Sequence, residues 1–154
     1  LTNVKGFEAT VAAEKGIAIA SAKLTYAFAN ADVPKVNVIT GEAYGSAYVS
    51  MNSKSLGADL VYAWPTASIG MMDSQLAAKI MYADEIAAAS DVAATVSEKA
   101  AEYAKLQSSV ESAAARGYVD TIISPADTRK YVIGAFEMLF TKRENRPDKK
   151  HGTV

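Results

Sequence analysis

The residues best placed to do chemistry in this 154-residue sequence are Gly41-Glu42-Ala43-Tyr44-Gly45-Ser46-Ala47-Tyr48. The apolar run Val36–Ile39 before them predicts a buried strand, and Ala47–Met51 after them predicts the first turns of a helix. A helix that begins directly after a strand has backbone N–H groups without internal partners, and its dipole favours negative charge there. Such donors suit an anion, or a carbonyl oxygen that gains charge during a reaction. A tight connection needs small residues in any case, so a purely structural role stays open.

Other side chains that commonly carry out catalysis are scarce. His151 is the only histidine in the sequence, and there is no cysteine. A Ser–His–Asp or Cys–His triad and a zinc site built on these residues are therefore not expected, and we predict no metal site. Any chemistry must use backbone donors, carboxylates, tyrosines or residues of another polypeptide. The lack of cysteine also fits a reducing, cytoplasmic location, which is our expectation.

The composition indicates one ordinary domain with a real core. Half of the residues are hydrophobic and the formal net charge is −1. A protein that binds nucleic acid through bulk electrostatics has a basic excess, so we predict no nucleic-acid partner. The apolar runs are far shorter than the ~20 residues that span a bilayer, so we predict no direct membrane insertion.

The hydrophobic pattern predicts alternating strands and helices around the Gly41–Tyr48 stretch. Thr10 to Asn30 has apolar residues at helical spacing and is rich in alanine, which suits close packing on a sheet. Further helices are predicted at Ser46–Ser53, at Ser74–Ile86 with Asp73 as its cap, from Ser90 as a cap through Ala104, and from Ser124 to Arg143. Strands are predicted at Val36–Ile39, Asp59–Trp64 and Tyr118–Ile123, with an extended piece at Ser68–Met72. This order predicts a single α/β layer fold, in which ligands collect at the carboxyl ends of the strands.

Several segments resemble one enzyme family. They are Val33-Pro34-Lys35-Val36, Ala43–Tyr48, Asp59–Ala67, Arg116–Asp120 followed by Thr128-Arg129-Lys130, and the tail segments Thr141–Glu144 and Lys149–Gly152. In this order, over nearly the full length, they resemble the carboxyl-terminal half of the biotin-dependent acyl-CoA carboxyltransferases. That family includes subunits of propionyl-, acetyl- and methylcrotonyl-CoA carboxylases, and of methylmalonyl- and glutaconyl-CoA decarboxylases.

The resemblance implies a crotonase-like ββα spiral fold within the α/β class, present twice in a complete subunit. The chain then corresponds to the C-terminal carboxyltransferase domain and is a fragment of a two-domain subunit. Residues 1–141 form that domain, and residues 142–154 form a charged C-terminal tail. The resemblance also implies that the N-terminal half holds the acyl-CoA thioester and this half holds carboxybiotin. The active site then lies between halves of two different subunits.

The resemblance assigns roles to positions in the Gly41–Tyr48 stretch and after the Trp64-Pro65 pair. Gly45 and Ser46 stand where the family has two glycines whose backbone amides stabilise an oxyanion. The biotin pocket is expected to contain Ala43, Tyr44, Gly45, Ser46, Ala67 and Ile69. Val49 stands where carboxylases of propionyl-CoA often have an acidic residue, so it is the expected determinant of acyl specificity.

The implied activity is transfer of a carboxyl group between carboxybiotin and an acyl-CoA, with the propionyl/methylmalonyl-CoA class favoured. Biotin on a carrier protein or domain is the cofactor and acyl-CoA is the substrate. The implied partners are the N-terminal half of the same protein, a second subunit of a homo-oligomer, the biotin carrier, and biotin carboxylase or decarboxylase subunits. Two alternatives stay open: the same half-site in a decarboxylase coupled to sodium export, or a non-catalytic crotonase-like domain that only oligomerises. The isolated chain is expected to be inactive, because the thioester side of the site is missing.

Overall fold

The structure is a computed structural model that describes residues 1–145 and residue 147. Its centre is a parallel five-stranded sheet with the order β1-β2-β3-β5, in which β4 pairs with β2. The strands are β1 (Thr2–Val4), β2 (Val36–Tyr44), β3 (Leu60–Ala63), β4 (Ser68–Gly70) and β5 (Thr121–Ile122). The α-helices are α1 (Val11–Asn30), α2 (Gly45–Ser50), α3 (Ser74–Met81), α4 (Ala83–Ala88), α5 (Val92–Tyr103), α6 (Val110–Ala115) and α7 (Thr128–Met138). Lys54–Leu56 and Pro125–Asp127 are 3₁₀ turns, and Ala104–Ser108 is π-helical.

Strand β2 is longer than the sequence predicted. Its first half, Val36–Ile39, pairs residue by residue with β3, as expected of a buried parallel strand. The prediction that the strand stops at Ile39 is wrong, because Ser68–Gly70 of β4 supplies parallel partners for Glu42–Tyr44. Gly41 to Tyr44 are therefore strand residues, and the change of direction is confined to Gly45.

The sheet separates two hydrophobic clusters. Successive residues of an extended strand face opposite sides, so Val38 and Ile39 of β2 belong to different clusters. The cluster on the first face includes Ile39, Ala43, Tyr48, Val61, Ile69, Val110 and Ala113. The cluster on the second face contains Val38, Tyr62, Ile123 and Ala135. Helix α6 thus covers the face that carries Tyr48, and α7 covers the opposite face.

Local capping signals predicted some helix boundaries and missed others. Asp73 caps α3 as predicted, and Thr10, at the start of the predicted helical segment, caps α1; each side chain accepts a hydrogen bond from a first-turn N–H. The predicted helix Ser74–Ile86 is two helices that meet at Tyr82. The cap of α5 is Asp91 and not Ser90, because the Asp91 carboxylate accepts from the Ala94 N–H. The last helix ends at Met138 and not at Arg143.

Helix α1 does not pack as its sequence predicted. None of its residues is buried, and Val11, Ile19 and Leu24 are exposed by 74%, 53% and 38%. Its contacts with α2 include polar ones, since the side chains of Ser21 and Thr25 form hydrogen bonds with the Ser50 hydroxyl. The alanine-rich stripe therefore has no sheet beneath it in the described part of the chain. Helix α7 also has an exposed apolar side, on which Phe136 is 47% exposed.

A partly buried ion pair attaches the segment after α7 to the residue that precedes β3. Lys142 Nζ lies 2.9 Å from both carboxylate oxygens of Asp59 and donates to the Val33 carbonyl. Burial alone raises the pKa of Asp59, but hydrogen bonds from Lys142 and the Lys35 backbone N–H, with both positive charges, lower it on balance. Lys142 is the first residue of the predicted charged tail. The tail residues Arg146 and 148–154, His151 among them, lie outside the described residues.

No helix in the described part of the chain is both long and apolar enough to cross a lipid bilayer.

Candidate functional site: the cleft beside helix α2

A glycine in an unusual conformation joins β2 to α2. Tyr44 is extended, with φ −118° and ψ 139°, whereas Gly45 has a φ of +60°. This left-handed conformation costs a residue with a side chain about 1–2 kcal/mol. A Cβ atom on Gly45 would also lie 3.0 Å from the Met71 carbonyl oxygen. Glycine is therefore required here both by the backbone angle and by the space available.

The first turn of α2 offers backbone donors. The N–H groups of Gly45, Ser46 and Ala47 precede the point where helical hydrogen bonds become possible, and Tyr44 provides no side-chain cap. Ser46 does not have a positive φ, since Asn52 is the one non-glycine residue of the described chain that does. A serine therefore fits where the family pattern has glycine. Gly45 is half-buried and Ser46 is exposed, so neither residue lies in the closed core.

A cleft of about 370 Å³ opens beside this turn, within the ~300–1,000 Å³ of ordinary ligand pockets. Four of the residues that the sequence assigned to the site lie on its wall: Gly45, Ser46, Val49 and Ile69. Val49 is 41% exposed, so its side chain is available to contact a ligand. The cleft thus brings the predicted amides and the predicted specificity residue together.

The remaining predicted pocket residues lie behind the wall. Ala43 and Ala67 are 0% and 5% exposed and belong to the first hydrophobic cluster. Ala43 pairs with Ile69 across β2 and β4, so it fixes the position of a residue that does line the cleft. The Tyr44 hydroxyl donates to Ser68 Oγ at 2.8 Å and ties the same two strands together. These three residues support the site and are not on its surface.

Sequence reasoning missed the opposite wall of the cleft. It consists of Tyr103, Gln107, Arg116 and Tyr118, which come from the end of α5, the π-helical stretch and the loop after α6. The Arg116 guanidinium donates to Gln107 Oε1, which holds its charge at the cleft. The segment Arg116–Asp120 was among the resembling motifs, but periodicity contains no signal for the π-helical turn. Such turns are frequent at functional sites.

The electrostatics of the cleft favour an oxygen-rich ligand. Arg116 is the one charged residue among the described residues that line it. Burial, with a smaller contribution from Tyr118, raises the pKa of Tyr48 to about 12, so this phenol stays protonated. Backbone amides, phenols and a guanidinium are donors, and a group that carries carbonyl or carboxylate oxygens matches them. The described residues include no cluster of acidic or histidine side chains able to hold a metal ion.

The chain belongs to the Carboxyl transferase domain family, whose pattern matches residues 1–154. It is 49% identical over 139 residues to the carboxyltransferase subunit of propionyl-CoA carboxylase of Haloferax mediterranei, covering 90% of this chain and 27% of that protein. It is 46% identical over 155 residues to the alpha subunit of methylmalonyl-CoA decarboxylase of Propionigenium modestum, covering 100% of this chain and 30% of that protein.

A solved structure confirms the predicted fold. The chain superposes with a TM-score of 0.93 and 46% identity on the transcarboxylase 12S subunit, whose structure is a hexamer with methylmalonyl-CoA bound. The match covers 98% of this chain and 29% of that one. The crotonase-like α/β architecture of a carboxyltransferase domain is therefore the fold of this protein. The chain spans about 30% of the length of the relatives it matches.

Proposed function

We propose that this chain is the biotin-binding half of an acyl-CoA carboxyltransferase of the propionyl/methylmalonyl-CoA class. The observation that carries this proposal is the pair of uncapped first-turn N–H groups at Gly45 and Ser46, two residues that line the cleft. Arg116 is the one charged residue among the described residues that line it. The relatives named above support the acyl-CoA class through their own names. We assign these two amides to the ureido oxygen of biotin.

The chemistry required of these residues is charge stabilisation. Biotin carries the carboxyl group on a ureido nitrogen, and its release leaves negative charge on the ureido oxygen. The amides of Gly45 and Ser46 donate to that oxygen, and the fixed φ of Gly45 keeps both donors in place before the charge develops. Removal of one such donor typically costs ~10²–10³ in rate. No side chain of the cleft needs to accept a proton in this role.

Val49 is the residue to which we assign acyl selectivity on this side of the site. Its side chain is exposed on the cleft wall, one residue after Tyr48. An aliphatic side chain there removes the charge that many propionyl-CoA carboxylases have at this position, so the acyl group meets an apolar surface.

In the proposed function, the thioester side of the active site comes from polypeptide outside these 154 residues. The exposed apolar faces of α1 and α7 are surfaces that an ordinary monomer buries. We assign them to contact with the N-terminal half and with a second subunit, and the hexamer of the similar 12S structure supports such an assembly. A biotin carrier and either biotin carboxylase or decarboxylase subunits complete the partners.

The decarboxylase remains the second candidate, because one relative at 46% identity is a decarboxylase subunit. Both functions use the same transfer step in opposite directions, so the site residues are the same. The partner subunits decide the direction.

An acyl-CoA panel on the full-length enzyme tests the proposal. Methylmalonyl-CoA, malonyl-CoA and glutaconyl-CoA serve as carboxyl donors and free biotin as the acceptor. We expect biotin-dependent loss of the carboxyl group, fastest with methylmalonyl-CoA. Absence of biotin-dependent transfer with every donor, from a folded oligomer, would leave the non-catalytic oligomerising domain as the better explanation.

A further inference from the structure

The hydroxyl group of Tyr48 is buried and has no hydrogen-bond partner among the residues that the structure describes. The whole side chain is only 7% exposed. A buried hydroxyl without a partner is costly, and phenylalanine would fill the same space without that cost. The tyrosine is therefore best explained by a partner that comes from outside this chain.

The position of Tyr48 indicates what that partner is. Tyr48 is among the residues that line the same cleft as Gly45 and Ser46, and it lies one helical turn after Gly45 on α2. Tyr118 lines the same cleft and is 44% exposed, and a ligand oxygen reaches the buried Tyr48 hydroxyl only when a lining side chain such as this one shifts. A ligand oxygen held by the Gly45 and Ser46 amides is thus in the same cleft as this phenol.

The charges around Tyr48 define its role. Since burial and the neighbouring Tyr118 raise its pKa to about 12, the phenol is a donor at any working pH and not a base. Arg116, held by Gln107, gives the cleft positive charge, and none of the described residues that line it is a carboxylate. A donor in such surroundings matches an oxygen with partial or full negative charge.

We propose that Tyr48 is a ligand-binding residue whose hydroxyl donates a hydrogen bond to an oxygen of the carboxybiotin in the cleft. The inference rests on the proposed function, because it places biotin on this side of the active site. Tyr48 adds a side-chain donor to the two backbone donors and helps to orient the ring. It does not transfer a proton.

The test uses the full-length enzyme, with methylmalonyl-CoA as carboxyl donor and free biotin as acceptor, each varied while the other is saturating. Tyr48→Phe should raise the KM for biotin about tenfold, the size of one hydrogen bond, and leave the KM for methylmalonyl-CoA unchanged. Tyr62→Phe is the matched control, because Tyr62 is a buried tyrosine on the other face of the sheet, packed against the Tyr131 ring. It should change neither KM. The melting temperature of Tyr48→Phe should equal or exceed that of the wild type, since no contact within the chain is lost.

Three results would overturn the role of Tyr48. An unchanged biotin KM would show that the hydroxyl does not contact biotin. A higher KM for methylmalonyl-CoA instead would place the hydroxyl on the thioester side. A lower melting temperature would show that the hydroxyl pairs with another part of the full-length protein and is structural. Failure of the proposed function is seen separately, because wild-type enzyme would then show no biotin-dependent transfer at all.

Discussion

Replacement of Gly45 by alanine tests the central element of the site. A side chain at a φ of +60° costs about 1–2 kcal/mol, and the new Cβ lies 3.0 Å from the backbone oxygen of Met71, which cannot rotate away as a side chain would. We expect a total destabilisation of about 2 kcal/mol. Part of this strain is relieved by rotation of the first turn of α2, which moves the amides of residues 45 and 46. Because one lost oxyanion donor costs ~10²–10³ in kcat, we expect a loss of at least ~10².

The assay is biotin-dependent transfer by the full-length enzyme, measured with the melting temperature of the same preparation. Gly134→Ala is the matched control, since Gly134 lies inside α7 and a Cβ there meets nothing within 4 Å. That variant should be slightly more stable, by up to ~1 kcal/mol, and should transfer at the wild-type rate. If Gly45→Ala is destabilised as expected but keeps the wild-type kcat, the amides are not the catalytic donors. If it is not destabilised either, the argument from φ and space is wrong.

Three further predictions follow from the remaining contacts. Asp59→Asn should lower the stability by about 1–3 kcal/mol at pH 7. Because the native pKa of Asp59 is lowered, its contribution to the stability of the fold is present above the unfolded pKa of 3.8 and is lost as pH falls through the native pKa. In melting experiments, the variant should therefore lose less stability in acid than the wild type does. Val49→Asp should change the ratio of kcat/KM for propionyl-CoA over acetyl-CoA roughly tenfold, whereas Val92→Asp, at an exposed position of α5, should not; equal ratios would remove Val49 from the specificity site. The isolated 154 residues should bind biotin but should not transfer a carboxyl group to or from an acyl-CoA. Measurable transcarboxylation by them would contradict the assignment of a half-site.

Features that depend on a few neighbouring residues were predictable from the sequence. Thr10 and Asp73 cap helices because a short polar side chain before an apolar stripe satisfies free N–H groups nearby. The run Val36–Ile39 is predictable as a strand because a short series of neighbouring apolar residues indicates a buried strand. The extension of β2 to Tyr44 was not predictable, because its partner β4 lies more than twenty residues further on and presents only three residues. The cleft wall that contains Gln107 and Arg116 was not predictable either, since it depends on a π-helical turn that hydrophobic periodicity does not encode.

The exposed helix stripes show what a hydrophobic pattern does and does not predict. The spacing in α1 and α7 correctly indicated helices with an apolar side, yet Ile19 and Phe136 are about half exposed. An apolar stripe states that a surface is to be covered, and it does not state by which part of the protein. The relatives matched here are more than three times as long as this chain, so their structures have ample polypeptide for such cover. Helix α1 was predicted to suit close packing on a sheet, and its apolar side is exposed instead. We therefore propose that the rest of the active site packs against this side of α1.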